Sequence, residues 1–282
     1  MNPMNLVNPV RLLVVTAVEA ERDAVARGLG PTAAVGCGDL PGREMLRIGC
    51  ATDTSTAPAP RTTPAPRTTP APRTAAGPCT APRQPLSTDL VAGGVGPAAA
   101  AAATDAALTV ATVHGNPYHL VIAAGIAGGF APIADVGSVV VADRVIAADL
   151  GCQTPDGFLS VDSLGFGASE HSCAPHLSAA VARVLGAVHA PVLTVSTATG
   201  TAERAQDLRQ RHGAAAEAME GFGVAEAAAV HGVPLLELRT ISNTVGPRDR
   251  AAWRIPDALA ALRDAFGVLH NVLARGAPPP YT

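Results

Sequence analysis

Short runs of β-branched and aliphatic residues alternate along this chain with longer alanine-rich segments, and few folds accept that rhythm. Arg11 to Val18 has the length and apolar content of a buried strand, and Glu19 to Leu29 follows it as a helix. A strand or hairpin is expected near Glu44 to Gly49. Leu90 to Ala92 then runs into Gly93-Gly94-Val95-Gly96-Pro97 and an alanine-rich helix to about Val113, with Pro97 suited to a first helical turn. Next come a strand at His119 to Ala124, a glycine turn at Gly125 to Gly129, and a run at Ser138 to Ala147 that is nearly all Val, Ile and Ala. Runs this apolar suit strands covered on both faces. Pro191 to Ser196 and Leu235 to Ser242 read as further strands. Ala202 to Gln210, Met219 to His231 and Pro256 to Leu273 read as helices. The alternation predicts a single three-layer α/β/α domain with a central mixed sheet.

One segment breaks the rhythm. From about Ala51 to Thr88 the chain is of low complexity, with Ala-Pro-Arg-Thr-Thr-Pro recurring from Ala59 every six residues. Proline this dense removes backbone donors and blocks helix interiors, so the segment is expected to be extended, either as a solvated insert or as a Pro-rich ligand for a partner. The 282-residue chain without it remains a length that one α/β domain holds.

Composition excludes several classes. With 48% hydrophobic and 15% charged residues the chain is not disordered. Its net charge of -3 supplies no basic surface for nonspecific nucleic-acid binding. Five cysteines with no C-x-x-C pair read as neither a zinc site nor a disulfide framework, which fits a reducing cytoplasm. The eight histidines lack ligand spacing, so no metal is expected. Met1 to Pro9 carries no export signal, and Leu12 to Val18 is far shorter than the roughly 20 residues of a membrane span.

Four segments place polar groups or permissive backbone where strands end, the usual ligand-binding edge of an α/β sheet. Glu19 and Glu21 open the first helix, where the helix dipole alone would favour acids. Gly93-Gly94-Val95-Gly96 permits close backbone approach, but it is neither a Walker loop nor a dinucleotide fingerprint. Gly125-Ile126-Ala127-Gly128-Gly129 could cradle a planar base or a sugar. Glu217-Ala218-Met219-Glu220 comes fourth, followed by Leu238-Arg239-Thr240-Ile241-Ser242-Asn243. A carboxylate in so apolar a stretch needs a partner. Sugar hydroxyls, an arginine or backbone groups would each serve Glu220.

Thr16-Ala17-Val18-Glu19-Ala20-Glu21, the Ala124 to Gly129 turn, Ala218-Met219-Glu220 and Arg239 to Asn243 resemble, in order and spacing, the nucleoside phosphorylase and nucleosidase superfamily. Ser242 to Arg250, with Trp253 and Ile255, narrows the resemblance to the futalosine hydrolases of the menaquinone pathway. The resemblance covers nearly the whole chain apart from the insert. It implies a nucleoside phosphorylase-like fold, no cofactor, a small-molecule nucleoside as substrate, no nucleic-acid or membrane partner, and a cytoplasmic homo-oligomer. It makes Glu21 the group that activates the attacking water, with Glu19 in support. Glu220 takes the ribose 2′- and 3′-hydroxyls, and Met219 packs beneath the sugar. Ser242 and Gly125, Ile126, Ala127 and Gly128 complete the binding surface.

Asn243 departs from the adenine-releasing nucleosidases, which have aspartate there. An amide cannot act as an acid, but it can donate to a 6-oxo group and accept from N7–H, which argues for hypoxanthine or guanine. Futalosine carries a benzoate-bearing extension at the 5′ position, and Arg248 or Arg250 suits its carboxylate. Alternatively both arginines pair at the surface with Asp249 or Asp257. A phosphorylase of 6-oxopurine nucleosides needs an anion site, and no arginine lies between Gly93 and Gly129, although Arg22 or Arg239 could swing in. A non-catalytic nucleoside-binding protein is the third reading.

Overall fold

The computed structural model describes residues 9–30, 34–40, 43–49 and 85–275. The repeat segment of the insert and the first eight residues lie outside them. The chain opens with β1 (Val10–Thr16), α1 (Glu19–Gly28), β2 (Ala34–Leu40), β3 (Arg43–Gly49), β4 (Leu86–Ala92) and α2 (Pro97–Val113). It continues through β5 (Leu120–Gly129), β6 (Val139–Ala147), β7 (Gly151–Thr154), β8 (Gly157–Ser160), β9 (Glu170–Ser172), α3 (Pro175–Leu185) and β10 (Val188–Thr194). It closes with α4 (Ala202–His212), β11 (Ala216–Ala218), α5 (Gly221–Val230), β12 (Leu235–Thr244) and α6 (Ile255–Ala274).

The main sheet is mixed and runs β11-β10-β6-β12-β5-β1-β4-β3-β2. Its centre is parallel: β1 lies between β4 and β5, and β12 joins β5 in the same direction. Strand β11 also pairs antiparallel with β5, so β11, β10, β6, β12 and β5 close into a ring. Closure removes a free edge, and it brings β11 and β12 to opposite sides of β5.

Side-chain alternation explains the layers. Leu13 and Val15 of β1 face one core, with Ala100, Ala107 and Leu108 of α2 and Val224 and Ala225 of α5. Leu12 and Val14 face the other, with Val25 of α1, Val181 of α3 and Leu262 and Phe266 of α6. Both faces of the strand are therefore buried, as its unbroken apolar run predicts. A buried carboxylate ties the outer strands to the centre: Asp89 of β4 accepts from Arg11 at 2.6 Å, Arg47 at 2.7 Å and the Tyr118 hydroxyl at 2.6 Å.

The expected glycine turn at Gly125 to Gly129 is instead the second half of β5, paired with β12 through Gly129. Glycine weakens an isolated strand, but here flanking strands on both sides supply the hydrogen bonds, and the missing side chains make room for the site. The expected helix from Met219 begins at Gly221, because Ala216–Ala218 first joins the ring as β11. Strand β4 begins at Leu86, four residues before the expected Leu90, and Glu44 to Gly49 belongs to a β2–β3 hairpin. Helix α3 and the short strands β7 to β9 carry no periodicity that the sequence reading detected.

Candidate active site

The C-terminal ends of β1, β5 and β12, the loop after β10, and β11 enclose a cavity of about 450 Å³. Glu21, Ile126, Ala127, Gly128, Met219, Glu220, Ser242, Asn243 and Arg248 line it. Residues from four separate segments of the sequence thus meet at one place, the edge where open α/β sheets bind ligands.

Glu21 is 4% exposed, although it stands in the first turn of α1. One carboxylate oxygen accepts from Ala17 N at 3.0 Å and Val18 N at 3.3 Å, capping its own helix. The other accepts from Ile126 N at 2.8 Å and so fastens α1 to β5. Burial pushes its pKa up; the Ile126 hydrogen bond and the Arg239 charge pull it back, and Glu220 adds to the rise. Glu19 by contrast is exposed, where the helix dipole is sufficient reason for an acid. Gly125 lies directly behind Glu21: a Cβ there would stand 2.6 Å from Glu21 Oε1 and 2.9 Å from Arg239 Nη1.

Glu220 sits between β11 and α5. Oε1 accepts from Gly96 N at 3.3 Å, and Oε2 from Met219 N at 3.3 Å and Arg239 Nη1 at 3.2 Å. The arginine partner allowed for in the sequence is therefore present, yet the carboxylate has four lone-pair positions and keeps one for a hydroxyl. The turn at Gly93 to Gly96, whose Gly94 and Gly96 have φ of 92° and 95°, serves to aim the Gly96 N–H at this acid.

Arg239 is 1% exposed and bonds Glu237 through Nε at 2.8 Å, with Glu237 fully buried. Glu237 escaped the sequence reading. The available signal was its spacing from Arg239, since residues two apart on a strand share a face. Arg239 is fixed between Glu237 and Glu220 and does not swing, while Arg22 is engaged by Asp23 and Glu44. Arg43 of β3 lies near Gly94 and donates to Ala92 O at 3.1 Å, outside the cavity lining. Three carboxylates, Glu21, Glu220 and Glu237, surround one guanidinium; Glu237 is buried behind the lining, and Glu21 and Glu220 facing the cavity against Arg239 leave the inner wall net negative when ionised.

Ser242 Oγ donates to Asn243 Oδ1 at 2.8 Å and orients the amide. Gly128 permits that amide to lean over β5, for a Cβ there would stand 3.2 Å from Asn243 Nδ2. At the mouth, the Arg248 guanidinium lies 5.6 Å from the Trp253 ring centre. Arg250 is exposed in a 3-10 turn, Arg250–Ala252, and does not line the cavity. The surface pairs expected for these arginines are taken otherwise: Asp249 accepts from Ala251 N, and Asp257 pairs with Arg254 at 2.6 Å.

The profile of the Phosphorylase superfamily matches residues 89–275. The futalosine hydrolase of Streptomyces coelicolor is 53% identical over 270 residues, covering 95% of this chain and 99% of that one. The chain belongs to the futalosine hydrolase family. This hydrolase shares its fold with a solved futalosine hydrolase mutant from Helicobacter pylori, TM-score 0.70 at 15% identity, over 93% of this chain and 99% of that one. It also shares it with an S-adenosylhomocysteine nucleosidase from Streptococcus pyogenes, TM-score 0.69 at 16% identity, over 97% and 99%. The fold is thus common to enzymes with different substrates, and the side chains of the cavity carry the distinction.

Proposed function

We propose that the protein hydrolyses the N-glycosidic bond of futalosine, releasing hypoxanthine and dehypoxanthine futalosine, with Glu21 and Asn243 as its catalytic residues. The net negative inner wall carries the reading. A ribosyl cation forming as the C1′–N9 bond breaks is stabilised by Glu21 and Glu220. The same wall repels a phosphate dianion, which separates the hydrolase from the phosphorylase reading.

Glu21 takes a proton from the attacking water as its oxygen bonds C1′. The electron pair of the broken bond leaves with the base, which is protonated on N7 from solvent. Asn243 donates to O6 and accepts from N7–H, so it holds the neutral leaving base without acting as an acid. Glu220 accepts from a ribose hydroxyl at its remaining lone-pair position, with Met219 beneath the ring and Ile126, Ala127, Gly128 and Ser242 around it. Gly125 serves by keeping clear of Glu21. Arg248, at the mouth, takes the carboxylate of the 5′ extension, and its exposed neighbour Arg250 is not needed for that role.

The reaction needs no cofactor, and its setting is the cytoplasmic menaquinone pathway, with the enzyme a homo-oligomer. Turnover of futalosine in ¹⁸O-water tests the chemistry. Hydrolysis places the label on the anomeric carbon of the sugar product. An unlabelled sugar 1-phosphate, formed only when phosphate is present, contradicts the proposal.

A further inference from the structure

Glu237 of β12 has no part in the chemistry above and does not line the cavity. It is 0% exposed, and a carboxylate so deeply buried is costly unless something compensates it. Glu237 and Arg239 share one face of β12, opposite Ala123 and Gly125 of β5, whose small size leaves room for both. Helix α5 begins against the acid: a Cβ at Gly221 would stand 2.5 Å from Glu237 Oε2.

The guanidinium stands between two acids of different exposure to the site. Arg239 donates from Nε to Glu237 Oε1 at 2.8 Å, behind the cavity wall, and from Nη1 to Glu220 Oε2 at 3.2 Å, in the wall itself. Glu237 Oε2 and Arg239 Nη2 have no hydrogen-bond partner among the described residues. Nη2 lies on the same edge of the guanidinium as Nε, so these two groups are the second acceptor and second donor of one fork. An ionised Glu237 suits that edge, whereas a proton on Oε2 would meet only another donor.

The surrounding charges agree. Burial pushes the Glu237 pKa up, the Arg239 charge and hydrogen bond pull it back, and Glu220 adds to the rise. Against burial, the charges of Glu237, Glu220 and Glu21 hold the Arg239 pKa above its usual value. The Cys173 thiol, pushed up by burial and by the Glu237 and Asp143 charges, stays neutral beside Glu237. The charges that act on Glu21 are those of Arg239 from β12 and Glu220 from the start of α5. An arginine facing Glu21 and Glu220 alone would spend its charge on the two acids that the reaction needs.

We propose that Glu237 is a positioning residue: it holds Arg239 by Nε and offsets the guanidinium charge from behind the wall, so that Glu21 stays basic and both cavity carboxylates remain available to the cationic sugar. The inference rests on the reading of Glu21 as the base and adds the residue that sets its strength.

The pH dependence of kcat/KM for futalosine tests it. Glu237→Gln keeps the size and still accepts from Nε, but removes the charge that balances Arg239. The acid limb should then move about one unit to lower pH, because a base that loses a nearby negative charge becomes a stronger acid. On the plateau kcat should fall about tenfold. Glu237→Asp keeps the charge and should leave the limb at the wild-type position, whatever its plateau. A limb unmoved in folded Glu237→Gln overturns the proposal, since a merely structural loss lowers the plateau alone. A limb moved to lower pH in Glu237→Asp overturns it independently of the first variant. Failure of the wild type to release hypoxanthine from futalosine would instead sink the functional reading beneath it.

Discussion

A glutamate that accepts three backbone N–H bonds and is 4% exposed stays in one place, ready for a water molecule. Glu21→Gln keeps the size and removes the base, so kcat should fall about 100- to 10,000-fold while substrate still binds. Turnover close to wild type would move the role elsewhere. Only the ionised acid can take the proton, and burial raises its pKa, so kcat/KM should fall as pH drops through a value above the usual glutamate range. A limb at or below that range would show that another group titrates. Arg248→Ala should raise KM for futalosine about tenfold and leave a nucleoside without the carboxylate unaffected; equal losses on both would assign Arg248 to the loop alone. The resemblance singled out Glu21, Glu220 and Asn243, and the fold brings all three to the lining of one cavity. Glu237 was not legible, since its partner Arg239 looked available to a ligand until burial and a 2.8 Å bond showed it occupied.

Among the elements, β5 bears most on the site and was the one misread. Its second half, Gly125 to Gly129, has a composition that in isolation belongs to a turn, and only pairing with β12 and, at Gly128 and Gly129, with β11 makes it a strand. Pairing partners distant in sequence are invisible to local propensity, which also hid the ring closure by three-residue β11. The strongly apolar β1, β6 and β12 were legible because burial on both faces leaves a continuous signature. Gly125→Ala tests the close approach behind the base, because its Cβ would stand 2.6 Å from Glu21 Oε1. Displacing Glu21 should lower kcat/KM about 100-fold, with a smaller change in thermal stability. Retained activity would mean that the acid need not occupy this position.

At the scale of the whole molecule, the insert joins two strands already paired: Gly49 of β3 lies opposite Ser87 of β4. A short loop can bridge such neighbours, and loop length alters closure entropy only slowly. Deleting Ala59 to Thr74 should therefore leave futalosine turnover near normal and melting unchanged or raised; a large loss would give the repeats a role in assembly or capture. The remaining architecture, with two helical layers about a sheet that curls closed beside the cavity, brings the Glu21 and Glu220 carboxylates and the Asn243 amide to one cavity. The most direct measurement is chromatographic detection of free base from futalosine, inosine and methylthioadenosine, each with and without phosphate. Hypoxanthine from futalosine at a rate independent of phosphate, and no comparable release of adenine, is the result expected. Phosphate-dependent release from inosine would contradict the account and require an anion site in a cavity lined by Glu21, Glu217 and Glu220.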